Sequence, residues 1–397
     1  MSSLESACEQ SSIQIDGLQD ARRRFPTLER LAYINSGSYG LLGDTVRASL
    51  EEYMDHRVKV GADWDLWVDR AGRVRDKVAR LLGAQRDEIA VTASASAGIN
   101  ALASALDFSG GRDRILVSNY EFPTSGQIWH AQARRGAVVE HVAEDESGLI
   151  PPEHFADRID ERTRIVVLSH VCYRHGGKFS NGSIRSIVEV AHDHGAYVIL
   201  DCFQSAGAEV IDVKELGVDF AVGGMFKYLL GTAGIGFLYV RRELIPDLVP
   251  TASGWFAQDD IGAMNIFAND PSHTASRFEA GTPPVPSCYA ADAGLGIILE
   301  YGIEAIAARI SALTRYALDR FIAEGFPVAT PVEDSSRGPM LTLEARDAVA
   351  LVTRLIERNV VTSYRDGNVR AGFHLYNDRS DVDRLIEALR ANRELLA

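Results

Sequence analysis

The 397-residue sequence has little cysteine, and its four cysteines are far apart: Cys8, Cys172, Cys202 and Cys288. No two of them have the C-x-x-C spacing, and they are too sparse for a disulfide framework. The sequence therefore indicates a reducing compartment, and we expect a cytoplasmic protein. Because the first basic residue is Arg22, no secretory signal is expected in the polar segment before it.

Positive charge is also in deficit, with 41 Lys and Arg residues against 55 Asp and Glu residues and a net charge of -14. This balance disfavours nucleic acids and anionic membranes as partners. The longest apolar stretch, residues 221–240, carries a single charge, Lys227, but its five glycines argue against a membrane-spanning helix. The stretch instead predicts two buried strands with Lys227 in the turn between them. A lysine there either reaches the surface or is kept for its amine chemistry.

Several cofactor and catalytic motifs are missing. The sequence has no G-x-G-x-x-G fingerprint after a first strand, no G-x-x-x-x-G-K-[ST] loop and no G-x-S-x-G elbow. His170, Cys172 and His175 crowd one predicted strand end, but no second ligand pair supports them. We therefore predict no metal site.

Short apolar runs alternate with amphipathic segments through the first two thirds of the chain, which predicts an α/β fold. We expect a mainly parallel sheet in a large domain covered by helices, and a smaller C-terminal α+β domain. The predicted strands begin at Ile89, Ile115, Val138, Arg164, Ala196, Asp219 and Gly234. Between them lie helical patterns such as residues 184–195, where Gly195 can end the helix.

The pattern changes after about Gly281, and the chain shows no internal repeats. A long helical stretch over residues 289–323 precedes short strand-like pieces near Met340 and Val360 and a terminal helix from Asp381. We predict an N-terminal arm over residues 1–30, a large domain over 31–283 and a small domain over 284–397.

In an open parallel sheet, ligands bind beyond the carboxyl ends of the strands. Small residues from Ala95 to Gly98 follow one predicted strand and open a helix, which makes a phosphate cradle or an ordinary helix cap. Asp201 ends another strand, and Lys227 follows it by 26 residues. Together they provide what pyridoxal phosphate needs: a covalent lysine anchor, a phosphate site and a carboxylate for the ring nitrogen.

Four segments carry a resemblance to a known family: LDCFQSAG at Asp201, FKYLLGTAGIGFLYV at Lys227, RFEAGTP ending at Pro283, and NVRAGFHLYNDRSDVDRL from Asn368. With them, the sequence resembles the class V aminotransferases, a group of pyridoxal-phosphate fold type I enzymes. The group includes cysteine desulfurases, kynureninases and isopenicillin N epimerases. The resemblance implies fold type I, with the large domain binding the cofactor, and a homodimer with shared active sites.

The resemblance assigns cofactor roles residue by residue. Lys227 matches the lysine that binds the cofactor covalently, and Asp201 matches the partner of the ring nitrogen. Gln204 or His170 is expected at the ring hydroxyl. Further cofactor contacts are implied for the Ala95 amide and Ser96 at the phosphate, for Phe122 stacked on the ring, for Trp255 in a kynureninase-like GWF segment, and for Thr282 at the phosphate of the neighbouring subunit.

Substrate roles follow in the same way. Arg370 matches the arginine that binds the substrate carboxylate, for which a planar guanidinium is well suited. The loop NSGSYG, with Asn35 and Tyr39, is expected to form part of the substrate pocket.

The departures from the family pattern bear on the reaction. No cysteine lies between Phe326 and Arg370, where desulfurases carry their reactive one, so persulfide chemistry is disfavoured. Phe226 stands where desulfurases have histidine and kynureninases tyrosine, and Gln204 replaces a kynureninase histidine.

Our leading interpretation is therefore a lyase acting at the alpha carbon of an amino acid or amino-acid conjugate. Lys227 would remove the Cα proton, and a cysteine S-conjugate would lose its thiol by β-elimination. The Ala- and Arg-rich composition is typical of GC-rich bacteria with specialised metabolism, so a natural-product pathway is the expected source of the conjugate. The alternatives are decarboxylative oxidative deamination, kynureninase-like hydrolysis, epimerisation and transamination. A different class of function is a pyridoxal-phosphate-binding protein without turnover.

Overall fold

The computed structural model describes residues 18–397, so the first 17 residues of the predicted N-terminal arm lie outside it. The strands are β1 Ala32–Tyr33, β2 Ile89–Thr92, β3 Arg114–Ser118, β4 Val138–Val142, β5 Thr163–Ser169, β6 Tyr197–Asp201, β7 Phe220–Gly224, β8 Gly236–Val240, β9 Met340–Glu344, β10 Val360–Val361, β11 Ser363–Arg365 and β12 Asn368–Gly372. The α-helices are α1 Gln19–Arg23, α2 Asp44–Lys59, α3 Trp64–Leu81, α4 Ala95–Ala105, α5 Pro123–Ala131, α6 Pro152–Ala156, α7 Asn181–Asp193, α8 Val213–Leu216, α9 Val285–Tyr301, α10 Ile303–Ala323, α11 Ala348–Glu357 and α12 Arg379–Arg390.

The main sheet, as far as the structure describes the chain, has seven strands in the order β2-β8-β7-β6-β5-β3-β4. Strands β4, β3, β5, β6 and β7 are parallel, and β8 runs antiparallel to both β7 and β2. The predicted α/β fold with a mainly parallel sheet is confirmed. Each predicted strand of the sheet is present. The inner strands are buried and carry the apolar runs that a strand covered on both faces needs, whereas the edge strand β4 is largely accessible.

Helices cover both faces of this sheet. Along β5 and β6, Leu168 and Leu200 belong to one apolar cluster, and Val167 and Ile199 belong to the cluster on the opposite face. This alternation follows from the two-residue period of a strand. Within residues 18–397, no helix combines the length and the apolar character that crossing a membrane requires.

The helical stretch expected over residues 289–323 is two helices, α9 and α10, separated at Gly302. Gly302 has a φ of 81°, a left-handed conformation that ends α9 and that glycine adopts without a steric penalty. The chain therefore turns between the two helices, and α9 packs against α2 and α3.

A second sheet, β11-β12-β9, is antiparallel and packs with α10, α11 and α12 around an apolar cluster of its own. Ala32 and Ile34 also belong to that cluster, and β1 pairs in parallel with β10. The domain boundary at residues 283 and 284 stays a prediction.

Candidate active site

A cavity of about 320 Å³ lies at the carboxyl ends of the main-sheet strands. It is lined from three directions: by the loops after β2, β3, β5, β6 and β7, by the loop at Gly37 and Ser38, and by the hairpin of β11 and β12. Seven residues predicted for the site line it: Ala95, Ser96, Phe122, Asp201, Gln204, Lys227 and Arg370.

Lys227 lies in the turn that follows β7, and its amine points into an aromatic environment. The Nζ atom is 4.5 Å from the centre of the Phe203 ring and 5.8 Å from that of Phe122. Burial, together with the positive charges of Arg370 and Arg365, lowers the pKa of Lys227 to about 7, although Asp201 acts in the opposite direction. A substantial fraction of the amine is therefore uncharged near neutral pH, the state that a nucleophile or base requires.

Asp201 is the last residue of β6 and is buried. Its Oδ1 accepts a hydrogen bond of 2.8 Å from the Phe203 backbone N–H. Burial raises the pKa of the Asp201 carboxyl, while that hydrogen bond and the charge of Lys227 lower it. A cationic ring nitrogen placed against this carboxyl would hold it ionised.

The start of α4 also lines the cavity. Ser94 caps this helix, and its hydroxyl accepts a hydrogen bond from the Ala97 N–H at 3.0 Å. The amides of Ala95 and Ser96 head the helix, where backbone N–H groups have no partner within the helix. Such a helix start provides donors and a favourable dipole for a phosphate.

Phe122 and Gln204 also line the cavity. Phe122 is 44% exposed and contacts the Tyr173 ring edge-on, with 5.1 Å between the ring centres. Gln204 donates from Nε2 to the Gly37 carbonyl at 3.0 Å, and its buried Oε1 has no hydrogen-bond partner. This amide oxygen is left to bond a group in the cavity, as the predicted contact to a ring hydroxyl requires.

Arg370 enters the cavity from β12 and is 2% exposed. Its Nη1 donates to the Tyr173 carbonyl at 2.6 Å, and Nη2 donates to the Ser363 hydroxyl at 3.1 Å. Burial, and then the charge of Arg365, lowers the pKa of Arg370 to about 10. Among residues 18–397, no carboxylate forms an ion pair with Arg370, so its guanidinium is available to an anion in the cavity.

Five predicted site residues are not among those that line the cavity. His170 is buried, and its backbone N–H donates to the Asp201 carbonyl at 3.0 Å. The Trp255 indole donates to the Ile261 carbonyl at 2.6 Å, and Thr282 is exposed. Gly37 and Ser38, which line the cavity, lie two and three residues after Asn35. The Tyr39 ring stacks on the Phe226 ring, with 4.9 Å between the ring centres. The roles assigned to these five residues stay predictions.

The sequence analysis missed other residues of the site. Glu121 lies beside the cavity, where Ser118 donates to its Oε1 at 3.0 Å and its Oε2 is buried without a partner. Burial and the nearby Asp201 raise the pKa of Glu121 well above its ordinary value. Glu121 lies three residues after the end of β3, so the rule that ligands bind beyond the carboxyl ends of the strands also applies to it. Ser125, Tyr173 and Arg365 line the cavity as well.

Behind the cavity wall, Glu144, Cys172 and His175 place potential metal ligands within 4.8 Å of one another. The Gly177 N–H donates to His175 Nδ1 at 3.1 Å, so the proton of a neutral ring is on Nε2, the nitrogen that faces Glu144. A protonated nitrogen does not coordinate a metal. Glu144 is also ion-paired with Arg174. The arrangement therefore gives little support for a metal site, and the expectation of none stays a prediction.

The cavity fits pyridoxal phosphate on four counts. It joins an amine of lowered pKa, a buried carboxyl, the N-terminal amides of a helix and an amide oxygen without a partner. Each of these groups has a counterpart on the cofactor: the aldehyde, the ring nitrogen, the phosphate and the ring hydroxyl.

Comparison with known proteins supports this fit. The chain is 30% identical over 370 residues to the uncharacterized aminotransferase YcbU of Bacillus subtilis, covering 93% of this chain and 96% of YcbU. It is 32% identical over 401 residues to a kynureninase of Deinococcus radiodurans, covering 95% and 93% of the two chains.

Two solved structures have a closely similar fold. The cysteine desulfurase of Thermococcus onnurineus matches with a TM-score of 0.84 at 22% identity, over 94% of this chain and 98% of the other. The cystine C-S lyase C-DES, in complex with its product cysteine persulfide, matches with a TM-score of 0.83 at 21% identity, over 92% and 98%.

The family model for class V aminotransferases (Aminotransferase class-V) matches residues 44–385, most of the chain. The lysine, carboxyl and helix-start amides described above lie within the match. The chain therefore belongs to the class V aminotransferase family and is an enzyme whose cofactor is pyridoxal 5'-phosphate.

Proposed function

We propose that this enzyme is a C–S lyase that eliminates a thiol from a cysteine S-conjugate. The observation that carries the proposal is the buried Arg370 guanidinium, which faces the cavity beside Lys227 without a carboxylate partner in the described chain. An amino-acid carboxylate that binds Arg370 would bring the substrate amine and Cα into the part of the cavity that Lys227 lines.

The other residues that line the cavity have distinct roles in binding the cofactor and the substrate. The amides of Ala95 and Ser96 would hold the phosphate, Asp201 the ring nitrogen and Phe122 one face of the ring. When bound, the cofactor supplies an electron sink that stabilises negative charge at Cα. Lys227, with its lowered pKa, removes the Cα proton as a neutral amine. Arg370 holds the carboxylate and so fixes which Cα bond faces this base.

The overall reaction is balanced without an oxidant. The Cα–H bond loses its proton to Lys227, the Cβ–S bond breaks with its electron pair leaving on sulfur, and the thiolate takes up a proton. Water then replaces the amine, so the products are the thiol, pyruvate and ammonia. Cys172, Cys202 and Cys288 are fully buried and do not line the cavity. Thus, within residues 18–397, no thiol is placed to accept sulfur, which favours simple elimination over a persulfide relay.

Kynureninase-like hydrolysis is the second candidate. It is supported by the 32% identity to a kynureninase over nearly the whole chain. The aromatic side chains of Tyr120, Phe122 and Tyr173 on the cavity wall would also suit an aryl group.

The deciding experiment compares products. The purified enzyme is incubated with S-carboxymethyl-L-cysteine and, separately, with L-kynurenine, and a Lys227→Ala variant serves as the inactive control. Pyruvate and free thiol from the first substrate support the lyase, whereas anthranilate and alanine from the second support the hydrolase. Release of carbon dioxide with uptake of oxygen would indicate decarboxylative oxidative deamination. Inversion of configuration at Cα would indicate epimerisation, and a keto acid that retains the side chain would indicate transamination. A yellow protein inert towards every amino acid would be a cofactor-binding protein without turnover.

We further propose a cytoplasmic homodimer. Thr282 is exposed, and the nearby loop exposes Met264, Ile266 and Phe267, the last at 91%. An apolar loop of this kind is expected to be covered by a partner. A second copy that covers it could bring Thr282 to the phosphate of its neighbour. Sedimentation velocity should show a dimer that Phe267→Asp dissociates, with Val58→Asp on α2 as an exposed apolar control.

A further inference from the structure

Basic residues outnumber acidic residues among the side chains that line the cavity. The lining includes the basic residues Lys227, Arg365 and Arg370 and, within the described chain, a single acidic residue, Asp201. In the proposed function, Lys227 and Asp201 serve the cofactor, and helix-start amides hold its phosphate. Two guanidinium groups remain for the substrate, whereas an amino acid with a neutral side chain offers one carboxylate.

The hairpin of β11 and β12 places these two guanidinium groups on one face. Arg370 is paired directly with Ser363 across the hairpin, and Arg365 lies two residues beyond Ser363 on the same strand. Residues two apart on a strand point to the same side, so Arg365 and Arg370 are diagonal neighbours, with Cβ atoms somewhat less than roughly 7–8 Å apart. Arg365 is exposed at the mouth, and Arg370 is buried below it.

The turn of the hairpin is well defined. Asp366 and Gly367 have φ values of 53° and 76°, as expected for an Asp-Gly turn that closes a two-residue hairpin. Asp366 forms an ion pair with Arg174 at 3.3 Å, which ties the turn to the loop after β5. Arg365 donates to the Tyr364 carbonyl at 2.7 Å, and no carboxylate of residues 18–397 forms an ion pair with it. Its charge is therefore left uncompensated at the mouth.

We propose that Arg365 is a specificity residue that binds a second anionic group, so that the substrate is an amino acid with a carboxylate at the end of its side chain. This inference rests on the proposed function for the placement of the first carboxylate on Arg370. S-carboxymethyl-L-cysteine is a cysteine S-conjugate of this kind, with a carboxylate at each end. A guanidinium is the side chain best suited to hold a carboxylate by two parallel hydrogen bonds.

The test compares two substrates of nearly equal shape, S-carboxymethyl-L-cysteine and S-carbamoylmethyl-L-cysteine, which differ in one negative charge. The wild-type enzyme should favour the carboxylate by about tenfold in kcat/KM, as expected for one charge-assisted pair, and by less at high salt. Arg365→Gln should abolish this preference, and Arg365→Glu should reverse it. Arg185→Gln, an exposed arginine on α7 outside the cavity, should keep it.

A binding measurement separates this inference from the proposed reaction. L-glutamate and L-glutamine are titrated into the holoenzyme, and the change in cofactor absorbance is followed; neither ligand needs to be turned over. If no thioether is cleaved but glutamate binds more tightly than glutamine only while Arg365 is present, the lyase proposal fails and the Arg365 inference stands. The Arg365 inference would be overturned if the wild-type enzyme bound L-glutamate and L-glutamine equally, or if Arg365→Gln kept the full preference for L-glutamate.

Discussion

Replacing Lys227 with methionine should stabilise the cofactor-free protein at neutral and acidic pH. The pKa of this amine falls from 10.5 to about 7 in the folded chain. Between these values the unfolded chain binds a proton that the folded chain does not, so the contribution of Lys227 to stability rises with pH. This pKa shift corresponds to a destabilisation of at most about 5 kcal/mol, and the contact of the amine with the cavity reduces this value. We therefore expect Lys227→Met to raise the free energy of unfolding by about 2–5 kcal/mol below pH 7.

The assay is denaturant unfolding of the cofactor-free wild type and of Lys227→Met across a pH series. The difference in free energy of unfolding should be largest below the folded pKa and should vanish above the unfolded one. Lys59→Met, at the exposed end of α2, removes a lysine from the surface and serves as the control. A difference that does not depend on pH, or that grows at high pH, would refute the claim that burial holds this amine uncharged.

Four further predictions concern other residues in and around the site. Asp201→Asn should retain the cofactor but slow Cα proton removal, because an amide cannot balance the charge of the ring nitrogen; an unchanged kcat would contradict this. Arg370→Ala should keep the cofactor absorbance and weaken substrate binding by about 2 kcal/mol or more, with partial recovery in Arg370→Lys. Cys172→Ala and Cys202→Ala should retain turnover, and a persulfide found on either residue by mass spectrometry would show that sulfur passes through a protein thiol. Glu121→Gln should be more stable than the wild type at alkaline pH and lose this advantage in acid, because the raised pKa of Glu121 makes its ionisation costly.

The sequence predicted the main sheet because its physical requirement is local: a strand buried on both faces needs an apolar run. A second rule, that ligands bind where the carboxyl ends of parallel strands meet, placed Ala95, Asp201 and Lys227 at one edge of the sheet. It does not decide which side chains face the ligand. Ser169 and Val171 line the cavity, and His170 between them does not, as the alternation of an extended chain requires. A one-residue difference separates a wall residue from a buried one, and the pattern of apolar residues does not resolve it.

The two halves of the site also come from different parts of the chain, which explains why the cofactor was easier to predict than the substrate. The cofactor groups follow strands of the main sheet, whose order along the chain and position in space are linked by simple rules. Arg365 and Arg370 belong to a hairpin more than 130 residues away from Lys227 in sequence. Two contacts that join the hairpin to the loop after β5 are the hydrogen bond from Arg370 to the Tyr173 carbonyl and the ion pair of Arg174 with Asp366. Such contacts leave no periodic pattern. In the proposed function, changes in this hairpin would alter substrate binding without disturbing the cofactor groups, which is consistent with the different reactions for which relatives are named.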